Sequence, residues 1–233
     1  MVLGCSIRPA SAGVLVMDEG LVVSDSFMVA ARIPMSRKDF ECWLETPAPE
    51  PSAIANPAEM FTGWYWDGKA ADWHQADVGE TPREYFADCL AQEGDGLTYI
   101  LTHRDDALEA YLMHFGFCES NVYTALLMFA SAGRFSSDEA GSTVLFWAET
   151  SGALRDPAWD GWLSTLEVGP SGARFVSKTD LSPTIAALKP AEKQFFDLVV
   201  ELAGAYESST KAGESGHIDI IRDPRYADPA LFA

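Results

Sequence analysis

Residues 121–132 (Asn-Val-Tyr-Thr-Ala-Leu-Leu-Met-Phe-Ala-Ser-Ala) predict a helix that is apolar almost all the way round. Such a helix has no polar stripe to leave in water, so other elements must cover every side of it. It is also too short for the roughly 20 apolar residues of a bilayer span, and no other segment reaches that length. The chain must therefore fold around this helix as its centre.

The remaining segments read as short strands and amphipathic helices. Residues 14–17 and 21–23 flank Asp18-Glu19-Gly20 and predict a hairpin, and residues 27–33 predict a strand stopped by Pro34. Ser36, with Asp39 three residues on, opens a helix whose apolar stripe is Phe40, Trp43 and Leu44. Residues 46–57 contain Pro47, Pro49, Pro51 and Pro57 and predict a loop. The chain reads as one α+β domain over residues 1–233, and that loop is where two subdomains would divide.

Residues 63–75 predict two strands around Asp67-Gly68. Thr81-Pro82-Arg83-Glu84 starts a helix with Tyr85, Phe86, Cys89 and Leu90 inside, and with Glu84 and Asp88 side by side on another face. Residues 97–101 predict a strand. Asp105 and Asp106 then predict an acidic helix start, with Leu108, Tyr111, Leu112 and Phe115 as core face and Gly116 as stop. Residues 143–148 read as a strand, and residues 162–168 and 173–177 as a hairpin. Ser182-Pro183 and Lys189-Pro190 punctuate the approach to a long last helix carrying Phe195, Leu198, Val199, Leu202 and Tyr206 on its core face. Glu192, Asp197 and Glu201 take its wet side, and an extended polar tail follows from Ser208. Without regular β-α alternation the fold class is α+β, with a mixed or antiparallel sheet and several packed helices.

Charge narrows the partners. The formal net charge is −19 over 233 residues. Between Asp39 and Glu109, sixteen acidic residues face three basic ones, a net −13. That field repels nucleic acid and anionic lipid and attracts basic proteins. A solvated acidic surface with no partner is the plainer account of the same residues. A hydrophobic content of 48% and aromatic content of 12% exclude a disordered acidic chain.

Catalytic and metal signatures are missing. Cys5, Cys42, Cys89 and Cys118 form no C-x-x-C pair and no disulfide framework, which predicts free thiols in a reducing cytoplasm. Residues 1–12 lack the basic start and apolar stretch of a secretory leader. His74, His103, His114 and His217 show no metal-ligand spacing; His114 reads as the last turn of a helix. His103-Arg104-Asp105 copies three letters of the protein-kinase catalytic loop without the rest of that signature. No nucleophile elbow, phosphate loop, dinucleotide fingerprint or calcium loop appears. No cofactor and no metal are expected.

The tryptophan group stands out. Trp64, Tyr65, Trp66 and Trp73 are interleaved with Asp67, Asp72 and Asp77. They read either as core or as aromatic anchors in an acidic interface. On the second reading the partner-binding set is Trp64, Trp66, Asp67, Asp72, Trp73, Asp77, Glu80, Glu84 and Asp88. In overall character, and in the stretch Gly63-Trp64-Tyr65-Trp66-Asp67-Gly68, the chain resembles bacterial immunity proteins, including those paired with type VI secretion effectors. The resemblance implies a non-catalytic cytoplasmic protein that binds a basic cognate toxin, a nuclease above all, and masks its active site. Two alternatives stand beside it: a carboxylate-dependent hydrolase with a cleft near residues 64–77, and an acidic adaptor or structural protein.

Overall fold

The computed structural model describes residues 27–61, 73, 79–91, 97–114, 119–148, 153–158, 162–177, 180–212 and 220–233. The hairpin expected at residues 14–23 lies outside them, as do Cys5, Cys118, His74, His217 and most of the tryptophan hairpin. The described chain is α+β. Six strands form one antiparallel sheet: β1 (Phe27–Pro34), β2 (Leu97–Arg104), β3 (Ala107–His114), β4 (Ser142–Ala148), β5 (Trp162–Gly169) and β6 (Gly172–Val176). Their order is β2-β3-β1-β4-β5-β6. Four helices accompany them among the described residues: α1 (Arg37–Leu44), α2 (Pro82–Ala91), α3 (Glu119–Ala132) and α4 (Ser182–Ala212).

Register divides the side chains between two faces, because directly paired residues point the same way. Val29, Leu112 and Phe146 share one row, and Ala30, Tyr111 and Leu145 share the next. The first face is covered by α1, α2 and α3. There Trp43 stacks on Phe129 with centroids 6.3 Å apart, Phe86 meets Tyr99 at 6.0 Å, and Phe175 meets Trp73 at 5.0 Å. The second face is covered by α4, whose Phe195 lies 5.1 Å from Tyr111. Every α3 side chain described, from Val122 to Ala132, is buried. Its Met128 carbonyl and Ser131 hydroxyl both accept from the Trp43 indole at 3.0 Å. The core is one cluster that draws on both sides of the proline-rich segment. That segment itself folds into 3-10 turns at Pro51–Ala53 and Pro57–Phe61.

Several expectations are corrected. Residues 107–114 are a strand, not a helix. Asp105 and Asp106 have φ of +49° and +52°, the pair of left-handed residues that a two-residue type I′ hairpin requires. They join β2 to β3 with Arg104 opposite Ala107. Strand β3 runs between β1 and β2 with both faces buried, so it shows no apolar-polar alternation, and its apolar residues, interrupted by Glu109 alone before His114, imitate helical spacing. His114 accordingly sits at a strand end, opposite Phe27 and Leu97.

The last helix starts at Ser182 and runs through Pro190. Residues 182–189 are therefore helix, and Pro190 removes one main-chain bond inside it. Glu192 is not on the wet side: its carboxylate accepts from the Leu154 amide at 2.6 Å. The polar tail expected from Ser208 is still α4 as far as Ala212, and its far end is docked on the sheet with side chains buried. Tyr226, Ala227, Ala230 and Leu231 are buried, and Ala227 bridges to Leu101 on the β2 edge. At the opposite edge, Ala55 exchanges two main-chain bonds with β6, donating to Ala173 at 3.1 Å and accepting from Phe175 at 3.0 Å. Both sheet edges are thus covered by short non-strand segments, which blocks open-ended strand addition.

Candidate partner-binding face

Helix α2 begins with a reciprocal cap. Glu84 Oε2 accepts from the Thr81 amide at 2.8 Å and from its hydroxyl at 2.9 Å, while the Glu84 amide donates back to Thr81 Oγ1 at 3.2 Å. These bonds, the Thr81 amide first, hold the Glu84 carboxyl below its ordinary range. The cap fixes the helix so that Tyr85 and Phe86 turn inward and Glu84 and Asp88 face solvent. Asp88 makes no ion pair among the described residues. Beside it Arg83 donates to Glu45 of the adjoining turn at 2.6 Å.

The opposite wall of this face comes from the far end of the chain. Arg83, Glu84, Ala87 and Asp88 line a shallow groove of about 440 Å³ with Arg222, Leu231 and Phe232. The Arg222 guanidinium sits 5.3 Å over the Phe232 ring. The groove is open and mixed in charge, and the one aromatic ring lining it, Phe232, is 38% exposed. That suits contact with a protein surface better than enclosure of a small molecule.

The predicted binding set is only partly assembled here. Glu84 and Asp88 share the exposed face. Glu80 is half-buried, and its carbonyl accepts from Ala48 at 3.1 Å. Trp73 is corrected: it is fully buried, packs on Tyr123 and Phe175, and donates to the Pro51 carbonyl at 2.9 Å. An indole so enclosed is core and offers nothing to a partner. Trp64, Trp66, Asp67, Asp72 and Asp77 lie outside the described residues, and with them most of the alternative hydrolase cleft.

The acidic run is partly neutralised within the fold. Glu41 pairs with Arg37, and Glu109 is buried between Arg32 and Arg104. Arg104 is therefore a structural cation. His103 is structural too: its ring lies 5.4 Å from Phe40, and its Nε2 is 2.9 Å from the Met35 carbonyl. No group of three metal-ligating side chains occurs among the described residues. No described helix is long and apolar enough to cross a membrane.

Sequence reading missed the contribution of residues 222–233 to this face. The one available signal was Asp228-Pro229, an N-cap followed by proline at the first helical position. Asp228 does cap the 3-10 turn Pro229–Phe232. In comparison with known proteins the chain matches no family model, no curated protein and no solved structure.

Proposed function

We propose that this chain is a non-catalytic cytoplasmic binding protein that neutralises a basic cognate toxin, of nuclease type, by covering its active site. The observation that carries the reading is the solvent face of α2, where Asp88, with no cation partner among the described residues, stands beside Glu84 at the rim of an open groove. The overall charge of −19 acts in the same direction. A basic nucleic-acid groove complements such a surface, and charge steering speeds encounter by about 10–10³-fold. Affinity would come from desolvated aromatic anchors, of which Phe232 is the one described on this face.

The test is capture of partners from the lysate of the native organism at low and moderate salt, followed by mass spectrometry. One stoichiometric basic protein with a nuclease-type domain is the expected result. Asp88→Lys should then slow association and flatten its salt dependence between about 0.05 and 0.5 M. Glu84 is a poor site for this test because its carboxylate also caps α2. Capture of no specific protein at either salt concentration, or unchanged association of Asp88→Lys, would overturn the reading.

A further inference from the structure

Residues 226–228 lie along the outer edge of β2. The Leu101 amide donates to the Tyr226 carbonyl at 2.8 Å, and the Asp228 amide donates to the Leu101 carbonyl at 2.8 Å. One step further the main chain is replaced by a side chain: the His103 amide donates to Asp228 Oδ2 at 3.2 Å. Main-chain groups alternate sides along a strand, so Ile100 and Thr102 turn theirs inward to β3. One strand thus carries two sets of amides, one bonded to the sheet and one to the C-terminal segment.

Two ionic clasps hold that segment. Arg37 is bidentate to Asp228, at 2.6 and 2.9 Å. Arg225 is bidentate to Glu201 of α4, at 2.8 and 3.0 Å, and the Tyr226 hydroxyl joins Glu201 at 2.8 Å. In the Arg225–Glu201 clasp both partners reach solvent, at 57% and 37% exposed, so water competes with it, whereas in the Arg37–Asp228 clasp only the guanidinium does and the carboxylate is 5% exposed. Of the twelve residues 222–233, five are buried: Tyr226, Ala227, Asp228, Ala230 and Leu231. By contrast β3 is paired over its full length on both sides. Regions with few buried contacts and solvent-exposed bonds open ahead of the core.

We infer that residues 222–233 form a strap that leaves the β2 edge as a unit while the sheet stays folded. Because Arg222, Leu231 and Phe232 form one wall of the α2 groove, the same movement dismantles that groove. The inference stands whether or not that face binds a toxin.

Hydrogen exchange on the full chain, read amide by amide, tests it. Leu101 and His103 are expected to exchange at least about tenfold faster than Ile100 and Thr102. Arg37→Gln and, separately, Arg225→Gln should speed the first pair by a further tenfold or so and leave the second pair within about twofold. A variant that loses its fold raises all four rates together, and the unaltered chain then decides. Equal rates for all four amides in the unaltered chain mean that the strap opens only when the sheet unfolds, and they overturn the proposal.

Discussion

At Asp228 one buried carboxylate accepts four hydrogen bonds, two from Arg37 and one each from the amides of His103 and Ala230. Burial pushes its carboxyl up, but the Arg37 bonds and the two amides outweigh that and hold it below the usual range. Asp228→Ala leaves both amides without acceptors and should cost about 2–4 kcal/mol in chemical denaturation. A loss under about 0.5 kcal/mol would show that the strap contributes little to global stability. Arg225 likewise depresses Glu201, with help from Tyr226, and depresses Asp223. Carboxyls lowered in the folded state bind protons more weakly there than in the unfolded chain. Their contribution is therefore complete above the unfolded value of about 4 and is lost as pH falls through the folded values. Denaturant midpoints should be flat from about pH 7 to 5 with respect to these groups and fall below about pH 4. Burial and the Glu201 bond push the Tyr226 hydroxyl up to about 12, so it stays protonated and donating across that range.

Among the elements, those with a local chemical signature were legible. Ser36 with Asp39 and Thr81 with Glu84 announced α1 and α2, and each cap forms as those residues require. The β5–β6 hairpin was marked by its glycines, of which Gly172 takes φ +126°. Strand β3 was not legible, because burial on both faces erases the period that separates strand from helix. Its turn carries the decisive information. Asp tolerates positive φ at a cost that Gly does not incur, so Asp106→Gly should stabilise the hairpin by about 0.5–1 kcal/mol. A destabilised variant would mean that the Asp106 side chain contributes a contact larger than its strain. Pro190 tests the reading of α4. It is exposed and lies more than two turns into the helix. Pro190→Ala restores a main-chain bond and should raise stability by about 1–3 kcal/mol, measured as a denaturant midpoint. No gain would place Pro190 at a helix start, as its sequence context first suggests.

Over the whole molecule, charge and packing act on different terms. The formal −19 repels itself in the compact state. Raising salt from about 0.01 to 0.2 M should therefore raise the thermal midpoint by a few degrees, equivalent to about 1 kcal/mol. A fall would show that the surface ion pairs outweigh the repulsion. The apolar circumference of α3 and the mixture of capped helices and hairpins were enough, by themselves, to determine an α+β fold with that helix buried in it. Local propensity and amphipathic period are properties of contiguous residues, so contiguous residues report them. The antiparallel order of the sheet, the inward turn of Glu109 and Trp73, and the docking of residues 226–228 on β2 were decided only in the tertiary structure. Each depends on partners far away in the chain: Asp228 meets Arg37 across 191 positions. A pairing of that kind is set by where the sheet edge is left open, which no local pattern records.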